Sequence, residues 1–232
     1  MGCGQFLLSI VVRRFLRQGN GFKYRYSKPL LWRGSGFLFE YNVFDVSWDG
    51  GRAIRVTDNE FTVAVDPQKE FSPNFEAAIV LITCEDGFDS EKLAEVCGRG
   101  TCVILPESMS DRMVPSQDVE YVGSGEELDI YNVFIQARRS GESFTYRFSM
   151  QDVSFLVSPD STSIERVLEL EDTVDLAFLS AREDEDLDEI VRNAVKIKPK
   201  RLIPYFFEGK RSLEGFKAEL EDRNIECTLE EL

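Results

Sequence analysis

The chain changes its hydrophobic period partway along. From Val46 to about residue 157, apolar residues fall in short runs or at alternate positions, the pattern of strands; beyond residue 175, strand-like runs alternate with stretches of helical spacing. Residues 53–56 and 61–65 are rich in β-branched side chains and flank Asp58-Asn59-Glu60, which predicts a hairpin. Pro67 cannot donate to a ladder, so the second strand should end there and leave Asp66 at its carboxyl edge. Residues 77–83 form a continuous apolar run, as in a strand buried on both faces. A short helix should follow, capped by Asp89, running through Cys97 and stopped by Gly98 and Gly100.

The middle reads as a meander. Residues 101–105, 119–122, 128–138, 142–149 and 153–157 are extended, with turns at Ser140-Gly141 and Met150-Gln151. After them come a strand at 175–179, a helix at 185–195 with Leu187, Ile190, Val191 and Ala194 on one face, a strand at 201–204, and an amphipathic helix at 212–223 carrying Phe216 and Leu220. Strand, helix, strand, helix implies parallel pairing under covering helices. The whole predicts an α/β fold of two mixed sheets between helices, with no internal repeat.

Charge narrows the partners. The 232 residues hold 42 acidic and 27 basic side chains, a formal charge of −15. Such a surface repels phosphate backbones and anionic lipid, so neither nucleic acid nor a membrane is an expected partner of the main body; a small molecule or a protein is. Acidity with arginine in excess of lysine fits either a halophilic protein, whose carboxylates keep its surface hydrated in molar salt, or an ordinary acidic cytoplasmic one. Residues 1–45 differ, with seven basic side chains against Glu40 and Asp45. The apolar run at 6–12 is too short to span a bilayer, and its arginines follow it where a secretory signal would have them precede. This basic extension reads as an amphipathic arm for an acidic partner or a membrane, or as a disordered or non-native extension upstream of a true start at Val43 or Val46. The expected division is therefore 1–45 and 46–232.

Five cysteines, Cys3, Cys84, Cys97, Cys102 and Cys227, are scattered and odd in number, so they form no disulfide framework. The Cys97 and Cys102 pair has the spacing of half a metal site, but no second pair exists to complete it. Histidine is absent altogether. No Gly-x-Ser-x-Gly elbow and no phosphate loop occur, and Gly98-Arg99-Gly100 reads as a turn. Cys84 as a nucleophile would need a lysine or arginine beside it, against the opposing charge of Glu85 and Asp86. The acidic stretch 182–189 lacks the glycine of a calcium loop and reads as a solvated helix start.

Four segments, in order, resemble the metal-binding stations of the metallo-β-lactamase superfamily, in its ascorbate-6-phosphate-lactonase-like branch. Trp48-Asp49-Gly50-Gly51-Arg52-Ala53-Ile54-Arg55-Val56 is similar to the opening Trp-x-Gly-His-Ala strand, with Gly51 in the histidine's place. Between this station and the second, residues 61–67 resemble the family's next strand, which ends in Asp-Pro and is not itself a station. Leu81-Ile82-Thr83-Cys84-Glu85-Asp86-Gly87-Phe88-Asp89 stands where the family writes Thr-His-x-His-x-Asp-His, so that Cys84 and Asp86 fall on the first two histidine positions. Aligned from the other side, through Phe88-Asp89, the same loop is two residues short. Phe155-Leu156-Val157-Ser158-Pro159-Asp160-Ser161 resembles the strand whose aspartate bridges two metals, placing Asp160 in that role. Lys198-Pro199-Lys200-Arg201-Leu202-Ile203-Pro204-Tyr205-Phe206 resembles Lys-Pro-Lys-x-x-Ile-Pro-x-His, with Phe206 where the histidine belongs. The resemblance spans residues 46–230 and family-like sequence starts at Val46.

The resemblance implies a four-layered αββα sandwich of the metallo-β-lactamase type. Its active members use a histidine and carboxylate cluster to hold one or two zinc-type ions, which acidify bound water. Without imidazole the metal candidates are Asp86 and Asp160, then Cys84, Asp66 and Asp89; carboxylates alone favour magnesium, manganese or calcium over zinc. Gly51 and Phe206 remove ligand capacity rather than exchange it. Asp160 could equally cap a segment beginning at Ser161. The expectation is a degenerate fold member with no cofactor, acting by binding or regulation. Its alternative is a hydrolase of an ester or phosphodiester bond using a carboxylate-held divalent ion.

Overall fold

The computed structural model describes residues 37–48, 50–59, 61–68, 75–116, 118–160, 174–181, 186–205 and 214–227. They build two seven-stranded mixed sheets. The first runs β1 (Phe37–Tyr41), β2 (Phe44–Trp48), β3 (Ile54–Asp58), β4 (Phe61–Val65), β5 (Ala77–Leu81), β6 (Cys97–Pro106) and β7 (Asp118–Val122) in chain order. The second contains β8 (Glu127–Ile130), β9 (Val133–Ser140), β10 (Ser143–Met150), β11 (Val153–Ser158), β12 (Leu176–Ser180), β13 (Arg201–Tyr205) and β14 (Glu226–Cys227), again in chain order. Strands β4 to β7 pair in parallel, as do β11 to β14; the rest are antiparallel hairpins.

Side-chain alternation explains the layers. One core lies between the sheets and holds Phe44, Ile54, Phe148, Phe155 and Phe178, all fully buried. Each such side chain contributes about 1.5–3 kcal/mol relative to exposure. The outer face of the first sheet packs Ala64, Val80 and Val103 against Leu93 and Val96 of α1 (Ser90–Val96). On the second sheet, Leu156, Ala177 and Leu202 meet Ile190 and Ala194 of α2 (Leu187–Ile197) and Phe216 and Leu220 of α3 (Glu214–Asp222). The result is the expected α/β arrangement, two sheets face to face between helices.

Four details differ from the sequence reading. The division at 45/46 falls inside β2, because β1 pairs with β2 from Phe37↔Trp48 to Tyr41↔Phe44 and extends the sheet into the basic segment. Residues 128–138 are two strands, not one. Tyr131 and Asn132, both at positive φ, make a two-residue hairpin turn without glycine, so the apolar run hid it. The next turn lies at Gln151-Asp152, one residue later than read. Helix α1 stops at Val96 and the glycines beyond it are extended in β6, where a Cβ on Gly98 would collide with Glu76.

Contacts across the sandwich define its two ends. Phe144 N–H donates to Thr83 O (2.7 Å), and Thr145 at the start of β10 shares a 2.8 Å hydrogen bond with Ser158 at the end of β11. The carboxyl ends of β5 and β11 therefore meet at one end. At the other, the Gln151 amide donates to Asp58, tying the β10–β11 turn to the β3–β4 turn.

Candidate functional site

The carboxyl ends of β4 and β5 bring Asp66, Thr83 and Cys84 together. Asp66 closes β4 in the left-handed region (φ 43°), before Pro67, with its N–H donating to Leu81 O (3.0 Å). Its carboxylate is completely buried and accepts from Thr83 N–H (2.7 Å) and Thr83 Oγ1 (2.5 Å). Gly87 seals it: a Cβ there would lie 2.3 Å from Asp66 Oδ1. Burial pushes the Asp66 carboxyl up to about 6, opposed by the two Thr83 hydrogen bonds and by the positive charge of Arg52. Above it, Tyr146 donates to Ile82 O (3.0 Å). Burial drives that phenol well above its usual range, and negative charge on Asp66 and Cys84 adds to the effect.

Arg52 is the residue the sequence reading passed over. Gly50 (φ 97°) and Gly51 (φ 52°) form a turn that only glycine adopts without strain, pinned by Trp48 Nε1 donating to Gly51 O (2.9 Å). Just past it, the buried Arg52 side chain reaches under the β5 loop. Its Nη1 donates to Cys84 Sγ at 2.7 Å, and its Nη2 lies 3.6 Å from Asp86 Oδ2. Gln68 braces both sides, accepting from Arg52 N–H (3.4 Å) and donating to Asp86 O (2.7 Å). The glycine pair followed by arginine was visible in sequence; a reading that put Gly51 in the histidine's place left Arg52 one position out of view.

The other candidates are spoken for. Asp86 keeps an 82% exposed side chain whose partner is the Arg52 guanidinium. Asp89 caps α1, its Oδ1 accepting from Glu91 N–H and Lys92 N–H at 3.1 and 3.0 Å. Asp160 follows β11; its backbone carbonyl accepts from Ser158 Oγ (2.9 Å) and Ser140 Oγ (3.3 Å). The segment it was read as capping, and Phe206, lie outside the described residues, as do residues 182–185 of the acidic stretch. Of that stretch, Asp186 caps α2. Cys97 and Cys102 are free thiols, both pushed up by burial, to about 11 and about 12.

Comparison with known proteins gives the fold a name. No protein-family model matches the sequence, and no curated protein does. Solved structures do match. A protein described as a metal-dependent hydrolase from Parabacteroides distasonis superposes with a TM-score of 0.72 at 20% identity, covering 83% of this chain and 96% of that one. Igni18, a metallo hydrolase from the hyperthermophilic archaeon Ignicoccus hospitalis, gives 0.64 at 13% identity over 81% and 95%. The metallo-β-lactamase fold protein YhfI from Bacillus subtilis gives 0.62 at 10% identity over 77% and 89%. This chain therefore has the metallo-β-lactamase fold, the four-layered αββα sandwich.

That fold implies a metal at the end just described, and the residues here do not fit one. Among the described residues no three of His, Cys, Asp and Glu converge to hold an ion. The guanidinium of Arg52 already lies against Cys84 and Asp86, and a second cation beside it would be repelled. Asp66 is enclosed by Thr83 and Gly87.

Proposed function

We propose that this chain is a non-hydrolytic member of the metallo-β-lactamase fold that acts by binding a small molecule or a protein. One observation carries the reading: Arg52 places a fixed positive charge where the fold otherwise places metal ligands, against Cys84 and Asp86. A guanidinium satisfies nearby anionic groups as an ion would, but it holds no exchangeable water and so supplies no hydroxide. The hydrolase descriptions of the neighbouring structures belong to those proteins. No helix among the described residues is long and apolar enough to cross a membrane.

The test is metal content. The full chain, purified in high salt and offered zinc, manganese and magnesium, should hold well under one ion per molecule by plasma mass spectrometry, and Asp160→Ala should leave that value unchanged. One or two ions per chain, lost in Asp160→Ala, would overturn the reading. It would restore the alternative, an ester or phosphodiester hydrolase whose ion is held by Asp86 and Asp160.

A further inference from the structure

At the end of the sandwich opposite Asp66, the β3–β4, β8–β9 and β10–β11 turns and the start of β12 line a cavity of about 850 Å³. That volume suits a small-molecule ligand. Its wall is acidic. Asp58, Asp129, Asp152 and Asp175 line it together with one guanidinium, Arg147, which donates to Gln136 Oε1 at 3.0 Å. Asp175 is balanced by Lys200 Nζ at 2.5 Å. Three carboxylates thus stand against Arg147, in a chain whose whole field is negative.

Aromatic rings complete the lining. Phe61 and Tyr131 meet edge to face with centroids 6.2 Å apart, and Tyr131 and Phe134 are among the most exposed large apolar side chains of the described structure, at 49% and 38%. The register sets Phe134 between Asp129 and Ser149, so ring and carboxylate share the outer face of the second sheet. The backbone contributes as well. Tyr131-Asn132 and Gln151-Asp152 both occupy the left-handed region, where glycine would sit without strain, yet all four keep side chains that line the cavity.

We infer that this cavity binds a small aliphatic polyamine. Its ammonium groups are matched by Asp129 and Asp152 and by the rings of Phe61 and Tyr131, and its methylene stem by the exposed Phe134. A bare metal ion would make no use of the rings, an anion would be repelled, and a neutral apolar ligand would leave the carboxylates unmatched. The inference gives the proposed binding role a ligand class, at a site that shares no residue with Arg52 and its partners.

Titration calorimetry on the full chain tests it, with spermidine as the probe at the lowest salt that keeps the protein folded and magnesium as a charge-only control. Saturable binding to one site is expected. Asp129→Asn with Asp152→Asn should weaken it about tenfold, and Tyr131→Asn, which keeps a residue tolerant of the left-handed turn, should do the same. Thermal melts of the variants matching the native chain exclude loss of fold as the cause. No saturable heat at millimolar spermidine overturns the site. So does equal affinity in all variants, or full competition by equimolar magnesium, since each marks general attraction to an acidic surface. Spermidine binding that survives Arg52→Ala, together with bound metal in the native chain, would remove the proposed non-hydrolytic role and leave this site standing.

Discussion

The two ends of the sandwich have been treated in opposite ways. At the Asp66 end the described residues are tied to one another: a buried carboxylate, a threonine answering both of its oxygens, a glycine pressed against it and an arginine beneath the loop. At the other end, turns and the strand ends beside them leave a cavity and expose rings. Sheets are held by strand pairing and the inter-sheet core, neither of which needs the metal. On the proposed reading, the fold persists without chemistry at one end, and the surface at the other is the part that binds.

The contrast is sharpest if the closed end proves structural. Arg52→Ala should cost about 3–4 kcal/mol in urea unfolding, since it strips a buried cation from Cys84 and from the neighbourhood of Asp66. A loss under about 1 kcal/mol would mean the guanidinium contributes little and the comparison fails.

Asp66 gives the next effect, through pH. Burial pushes its folded carboxyl up to about 6 from an ordinary 3.8, so the folded state binds the proton more tightly. Stability should then rise as pH falls from about 7 through 6 towards 4, by about 2–3 kcal/mol relative to Asp66→Asn, which stays neutral throughout. Parallel pH–stability curves for the two proteins would show that Asp66 is not the group responsible. Smaller again is Asp89→Ala, expected to cost about 1 kcal/mol in thermal or urea unfolding by uncapping α1. Should that variant also change metal content, Asp89 would be a ligand after all.

Much of this was legible along the chain. The Asp-Pro stop put Asp66 at a strand end, the apolar run 77–83 gave β5, and the polar residue before Ser90 gave the α1 cap, because each depends on neighbours in sequence. The hairpin at Tyr131-Asn132 was not legible, since neither residue announces a turn as glycine does. The division at residue 45 was misplaced because a basic composition said nothing about the pairing of β1 with β2.

What the sequence determined by itself was the order of strands and helices, through hydrophobic period, and the absence of any imidazole to hold a metal. Only the tertiary structure decided what stands in that place. Arg52 and Cys84 are 32 residues apart, and a long side chain can reach in many directions from a given backbone position. Its direction was set by the glycine turn before it and by the packing of β3 beside β4 and β5, which local pattern does not contain.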